Sequence, residues 1–267
     1  MRYGFIGTGA MAGAIIGALV NDGYALPSEI CAYDLDEGRL QQVASSTGIE
    51  AMAGNQEVAE ASPTVILAVK PAFMDQVLRE MATQIVARRR LVVSIAAGVK
   101  LARLESWLSP KVPIIRAMPN LNVKVGAGMT AVAPNAAVNP AQVRDTLELF
   151  AGMGQAVQIE ERLFGAFTAV AGSSPAWVFL MVEALARGAL AAGMSKAQAL
   201  EVATQAVLGS AKLLSASQLH PWALIDQVSS PGGTTVAGLT ELEERGFSAA
   251  VVAAVAATVK REAELAG

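Results

Sequence analysis

Along its first 160 residues the chain alternates short, fully apolar or β-branched runs with longer amphipathic stretches. The short runs predict strands at Arg2–Ile6, Ile30–Asp34, Thr64–Val69, Leu91–Ile95, Pro113–Ala117, Gly128–Ala133 and Ala156–Ile159. Between them, apolar positions recur at helical spacing over Ala10–Val20, Glu37–Ser46, Phe73–Ala87, Leu101–Trp107 and Pro140–Ala151. Strand–helix alternation of this kind predicts a doubly wound α/β sheet, largely parallel at its start. After about Glu160 the strand pattern stops, and helices are expected at Leu163–Val170, Pro175–Ala192, Lys196–Ala216, Thr235–Glu244 and Ser248–Leu265. Ser174 before Pro175 reads as an N-cap with proline in the first helical position. Ser195 with Gln198 reads as a capping box, and Gly246 as a helix stop. The division expected is 1–160 for the sheet and 161–267 for an all-helical part, with no Pro/Gly-rich linker between them.

Two helices of the second part lack a polar face: Pro175-Ala-Trp-Val-Phe-Leu-Met-Val182 and the run Val251-Val-Ala-Ala-Val-Ala256. Helices apolar all round need neighbours on every side. A homodimer through 161–267 is therefore expected.

The chemistry-bearing motifs lie at the two ends. Tyr3-Gly-Phe-Ile-Gly-Thr-Gly-Ala-Met-Ala12 reads as a strand running into a dinucleotide-binding turn. Gly7 permits the tight turn, Gly9 lets the backbone approach a pyrophosphate, and Ala12 allows close helix–strand packing. Asp34, ending the second strand, can hydrogen-bond the adenosine ribose hydroxyls; the alternative is that it caps the helix after Asp36. A carboxylate there repels a 2′-phosphate, so NADH is favoured over NADPH, although Arg39 lies one helical turn on. Ala68-Val-Lys-Pro71 sits at a strand's carboxyl end, where Lys70 is either a surface charge or a neighbour of the cofactor's phosphates. Ser94-Ile-Ala-Ala-Gly98 ends the next strand in small residues, as a nicotinamide against the backbone requires. At the other end, Gln227-Val-Ser-Ser-Pro-Gly-Gly-Thr-Thr235 gathers backbone N–H groups and short hydroxyls at a helix start, which suits a carboxylate. Together these point to an oxidoreductase acting on a small acid.

Composition narrows the class. The chain has 267 residues, is 53% hydrophobic and carries a net charge of −3. Its sequence pI is about 5.3 and its mean hydropathy +0.44. Arg88-Arg-Arg90 is the sole basic cluster and reads as a solvated helix end, so no nucleic-acid partner is expected. One Cys and one His exclude an intramolecular disulfide and a Cys/His zinc site. Cys31 reads as a buried, inert strand residue. The apolar stretches Pro175–Val182 and Ala249–Val259 are short for a membrane span, and glycines at turn spacing argue against a leader after Arg2. A cytoplasmic, soluble protein is expected, with no metal and no membrane partner.

End to end, the chain resembles the pyrroline-5-carboxylate reductase family. Ile6-Gly-Thr-Gly-Ala-Met11 resembles its cofactor loop; Ala68-Val-Lys-Pro71, Ser94-Ile-Ala-Ala-Gly98 and Arg116-Ala-Met-Pro-Asn120 resemble its strand ends. Gly172-Ser-Ser-Pro-Ala176 looks like the start of its long interdomain helix, and His220-Pro221 with Asp226 to Thr235 is similar to its signature. The resemblance implies hydride transfer from NADH or NADPH to the C=N bond of Δ1-pyrroline-5-carboxylate, giving proline. It implies a cofactor set of Gly7, Thr8, Gly9, Ala10, Met11, Asp34, Asn55, Ala68, Val69, Lys70, Pro71, Ala96 and Ala97. Ser230, Gly232, Gly233 and Thr234 would hold the substrate carboxylate, with Thr235 on the ring nitrogen; Ser230 and Thr235 form the catalytic pair. His220 and Glu183 read as structural.

Leu121-Asn122 stand where the family commonly has Thr-Pro, which bears on substrate size; the family also often uses NADP, against the reading of Asp34. Three rivals remain. A β-hydroxyacid dehydrogenase shares the layout, but Pro175–Ala192 lacks the lysine its chemistry resembles. The others are a reductase of another cyclic imino acid and a non-catalytic cofactor-binding regulator.

Overall fold

The computed structural model describes residues 1–266. Eight strands form one sheet: β1 (Tyr3–Ile6), β2 (Ile30–Tyr33), β3 (Glu50–Ala51), β4 (Thr64–Leu67), β5 (Leu91–Ser94), β6 (Ile114–Met118), β7 (Gly128–Pro134) and β8 (Gly154–Gln158). Their order is β3-β2-β1-β4-β5-β6-β7-β8. The β6–β7 pairing is antiparallel, with Ile115 opposite Pro134, whereas β1 pairs in parallel with both β2 and β4. The chain winds outward from β1 to β3, then crosses back to β4. That reversal opens a crevice at the carboxyl ends of β1 and β4, where ligands of such sheets bind.

Both faces are covered by helices, which is why β4 and β5 are apolar runs rather than alternating ones. Successive residues serve opposite cores: Phe5, Ile66, Val93 and Ile115 face one side, while Ile6, Val65, Leu67, Val92 and Ile114 face the other. The first core is closed by α1 (Ala10–Asn21), α2 (Glu37–Thr47) and α6 (Pro140–Ala151); Ile15, Ile16, Leu19, Leu40 and Phe150 supply it. The second is closed by α3 (Asn55–Ala61), α4 (Met74–Arg88), α5 (Leu101–Trp107) and α7 (Phe164–Phe167). Each fully buried Ile, Leu or Phe adds about 1.5–3 kcal/mol relative to leaving it exposed. Cys31 lies in the second core, 0% exposed, with Sγ 3.2 Å from Ser62 Oγ. Burial raises its thiol pKa.

The helical part holds α8 (Ser174–Ala191), α9 (Lys196–Ser217), α10 (Pro221–Gln227), α11 (Thr234–Glu244) and α12 (Phe247–Ala266). By Cα packing, one compact unit is Met1–Gly172 with the chain from Thr258 onward, and the other is Ser173–Ala257. Inside the second unit, α8 and α9 pack through Ala186, Ala199 and Ala203. Little else there is covered: Phe179, Leu180, Trp222 and Val252 are 59%, 69%, 60% and 70% exposed. Apolar patches of this extent mark interaction surfaces.

The expected elements form, with local differences. Ser174 is not an N-cap, because the chain is already helical before it. After α7 the segment Thr168–Ser173 is a π-turn that runs straight into α8. Ser195 does cap α9, accepting from the Gln198 amide at 3.4 Å, and Gly246 ends α11 at φ 76°. Arg90 is not simply solvated: its guanidinium donates to the carbonyls of Ala59 and Glu60. Strand β3 and helices α3 and α10 are additions to the sequence reading.

Candidate active site

β1 ends in the glycine turn. Gly7 has φ 92°, and a Cβ there would lie 2.9 Å from the Ala68 carbonyl. Only glycine lets the ends of β1 and β4 approach so closely. Gly9 stands at the N-cap of α1 with no side-chain hydrogen bond, and the space beside its Cα is open. The first amides of α1 are thus left for an anion. Ala12, 1% exposed, packs the helix onto the sheet.

Asp34 follows β2 and does not cap α2; Asp36 does, accepting from the Arg39 amide at 3.0 Å. Asp34 instead binds the glycine turn. Its Oδ2 accepts from the Thr8 amide at 2.6 Å and the Thr8 hydroxyl at 3.0 Å, and its Oδ1 from the Asp36 amide at 2.9 Å. Burial alone would raise its pKa, but these hydrogen bonds and Arg39 outweigh it and hold the carboxyl below its ordinary value. The Arg39 guanidinium is shared between Asp36 at 3.1 Å and Asp34 at 3.7 Å.

A cavity of ≈ 340 Å³ opens here, and its lining brings together Gly7, Gly9, Asp34, Asn55, Ala68, Val69 and Lys70. Asn55 begins α3 and is held by donating to Glu80 Oε2 at 2.6 Å. Lys70 is exposed at the rim. Thr8 and Ala10 line the adjoining groove along α1. Pro71 lies instead on a groove with Gly98 and Val99, while Ala96 and Ala97 follow the end of β5, the first buried and the second exposed. Met11 lines none of these. Leu35 and Phe73 were not singled out from sequence, yet both line the cavity at 81% and 52% exposure. For Leu35 the signal was a bulky apolar residue just past a strand end; Phe73 closes the helical turn Pro71–Phe73 after β4. An uncapped helix start, open space beside Gly9 and a flanking carboxylate together fit a dinucleotide.

Within the helical unit, α10 leads into the second motif. His220 caps α10, its Nδ1 accepting from the Trp222 amide at 3.3 Å, which is a structural role. Glu183 is not buried in this chain; at 46% exposure it accepts from Arg187 at 2.9 Å. The loop turns at Gly232, φ 66°, and the Gly233 amide donates to the Ser230 carbonyl at 2.9 Å. A Cβ on Gly233 would run into Ser230 Oγ. Gly233 is also the N-cap of α11, with no side-chain cap. Thr234 and Thr235 are the first two residues of that helix, so neither hydroxyl serves as its cap.

Sequence reasoning quoted Arg116-Ala-Met-Pro-Asn120 only as a strand-end motif and gave no role to its two polar residues, Arg116 within β6 and Asn120 just past it. Arg116, with a side chain 4% exposed, pairs with Glu161 and Glu262, each at 3.1 Å, and stacks over the Phe164 ring at 4.3 Å. Asn120 is 5% exposed and bonds through both its Oδ1 and its Nδ2. A lone basic residue inside an apolar strand was the available signal for Arg116; its partners, far off in sequence, gave none.

Comparison with known proteins bears on both motifs. A family model described as pyrroline-5-carboxylate reductase dimerisation matches residues 161–265. Another, described as NADP oxidoreductase coenzyme F420-dependent, matches residues 2–98. The pyrroline-5-carboxylate reductase of Escherichia coli is 44% identical, over 99% of this chain and 98% of its own. That of Arabidopsis thaliana is 37% identical over 99% and 95%. Among solved structures, the Coxiella burnetii pyrroline-5-carboxylate reductase matches with TM-score 0.94 at 31% identity, covering 100% of this chain and 98% of that one. The Plasmodium falciparum pyrroline carboxylate reductase with NADP bound gives TM-score 0.90 at 26% identity, covering 100% and 98%.

Proposed function

The chain belongs to the pyrroline-5-carboxylate reductase family, and we propose from that premise how its own residues divide the work. The protein is an NAD(P)-dependent oxidoreductase that reduces the C=N bond of Δ1-pyrroline-5-carboxylate to give proline. The reduced nicotinamide supplies the hydride. An iminium carbon is already electrophilic, so the protein's task is placement rather than strong acid–base chemistry.

The observation that carries the assignment is the uncapped start of α11. Its free amides and positive dipole end suit a carboxylate. Ser230 and the Thr234 amide hold that group, and Gly232 makes the turn that aims them; the Gly233 amide, which the sequence reading also gave to the carboxylate, is taken by the Ser230 carbonyl. Thr235 sits one residue further in, where its hydroxyl hydrogen-bonds the ring nitrogen and fixes which carbon is presented. At the other motif, the α1 amides from Ala10 and Met11 take the pyrophosphate beside Gly7, Thr8 and Gly9. Asn55, Ala68, Val69, Lys70 and Pro71 border the adenosine and phosphates, and Ala96 and Ala97 flank the nicotinamide. Replacing Thr235 by Val and comparing kcat/KM for the imine with cofactor Kd tests this directly. Unchanged turnover would remove Thr235 from the chemistry.

For cofactor choice we favour NADH. Asp34 presents a carboxylate where a 2′-phosphate would lie, and Arg39 is already engaged by two carboxylates. Against this stand the NADP-bound relative and the NADP wording of the family model. Binding titrations decide it: a tenfold preference for NADPH refutes the reading.

A second substrate reading rests on Leu121, 45% exposed at the start of the turn Leu121–Val125. A larger or differently substituted cyclic imino acid would fit if that side chain borders the ring, and a panel of cyclic imines separates the two. The helical stretch Glu161–Ala191 is long and apolar enough to cross a membrane: its 18-residue apolar window has mean hydropathy 1.4, and 22% of that window is buried within the chain. We assign its cover to a second copy of the same unit, in keeping with the dimerisation family, and place the enzyme in the cytoplasm.

A further inference from the structure

Asn120 lies two residues past the end of β6 and joins three backbone segments. Its Oδ1 accepts from the Asn122 amide at 3.2 Å and the Met129 amide at 3.1 Å. Its Nδ2 donates to the Ala171 carbonyl at 2.9 Å. That carbonyl has no donor in the α-helical register. Ala171 stands four residues before Pro175, and proline has no N–H to return in the α-helical register. The backbone there is the π-turn Thr168–Ser173, a rare arrangement that gathers at functional sites. Gly172 rests on the same strand end: a Cβ on it would lie 3.4 Å from Met118 Cε. Glycine therefore lets the turn lie against β6.

We propose that Asn120 is a positioning residue for hydride transfer: by giving Ala171 the donor that Pro175 withholds, it pins the π-turn to the carboxyl end of β6. The inference rests on the proposal that the nicotinamide lies against Ser94–Gly98. β6 is the neighbouring strand, with Ser94 paired to Arg116, so Met118 to Asn120 continue the same edge. A slack turn there disturbs the alignment of the nicotinamide with the imine. It leaves the adenosine end, built on β1, β2 and β4, as it was.

Asn120→Asp isolates the donor, since a carboxylate keeps both accepted bonds and loses the one to Ala171. Three quantities are measured on the intact enzyme: cofactor Kd by titration, kcat and KM for Δ1-pyrroline-5-carboxylate, and amide exchange across residues 168–176. The expected result is a kcat about tenfold to a hundredfold lower, the range a small misplacement produces. Cofactor Kd should stay within about twofold, and exchange in the turn should quicken. Should Asn120→Asp not fold, Pro175→Ala decides. It offers Ala171 a main-chain N–H in the α register, in competition with Asn120, and should show the same split. Faster exchange with parental kcat overturns the positioning role while leaving the site assignment standing. A parallel decline of kcat, cofactor affinity and melting temperature also overturns it, marking the bond as purely structural. Parent enzyme inactive on the imine would instead sink the underlying functional reading.

Discussion

Arg116→Met should be among the most destabilising single changes in the sheet unit. The guanidinium is 4% exposed, meets Glu161 and Glu262 at 3.1 Å each, and covers Phe164 at 4.3 Å. Removing it leaves two carboxylates facing a space shaped for a cation, and Glu161 keeps only the Leu101 amide, at 2.7 Å. Breaking a buried pair from one side costs about 3–5 kcal/mol, because the remaining charge is stranded. For a chain of this size that corresponds to a fall in Tm of roughly 6–20 °C, at about 2–4 °C per kcal/mol. Thermal unfolding followed by circular dichroism at fixed protein concentration reads it directly. A companion variant, Arg116→Met with Glu161→Gln and Glu262→Met, should recover much of the loss, since it removes the stranded charges and keeps an acceptor for Leu101. If the single variant melts within about 2 °C of the parent, solvent already screens the cluster and the argument from burial fails.

Four further outcomes are expected. Thr235→Val costs α11 no cap, since Gly233 holds that place, so it should lose about tenfold to a hundredfold in kcat/KM, equivalent to roughly 1.5–3 kcal/mol; Ser230→Ala should raise KM instead, and the reverse pattern would exchange their roles. Asp34→Ser should narrow the gap between NADH and NADPH, yet weaken both, because Thr8 loses its acceptor; a variant that gains NADPH affinity with none lost for NADH would count against the tie to Thr8. The lowered Asp34 pKa means its ionised form favours the fold, so the parent's stability advantage over Asp34→Asn should be full at neutral pH and fade as pH drops below about 3.8; denaturant unfolding across pH 7 to 3 that shows a constant difference would contradict this. Sedimentation at micromolar concentration should find a dimer or larger assembly, and an active monomer would leave the exposed faces of α8 and α12 unexplained.

The sheet was legible because its strands are buried on both faces and therefore read as unbroken apolar runs. β3 escaped because Glu50–Ala51 is two exposed residues long, too short to show any period. Helix α3 hid behind the Gly54-Asn55 turn signal, and α10 behind the single turn between two loop motifs. Ser174 misled for a different reason. Ser-Pro is a sound helix start when extended chain precedes it, but here residues from Phe164 onward are already coiled and the missing N–H is absorbed in a π-turn. At the site, spacing alone located Gly7, Gly9 and Asp34. That Asp34 would spend its oxygens on Thr8, and that Asp36 would be the cap, depended on side-chain direction at one turn, which spacing does not carry. Arg116 with Glu262 and Asn120 with Ala171 are pairs 146 and 51 residues apart; only the fold makes them neighbours.

The solitary thiol gives this protein an internal clock for its own opening. Cys31 is enclosed on β2, one strand in from the β3 edge, between Gly4 of β1 and Glu50 of β3, and its raised pKa further starves it of thiolate. With one cysteine per chain, a thiol reagent has no competing target and no background from loops. Its uptake in native buffer counts only the moments when the sheet itself parts, so the labelling rate reports the free energy of those excursions. Cofactor added to the same reaction should slow the label in proportion to how tightly it holds the sheet closed.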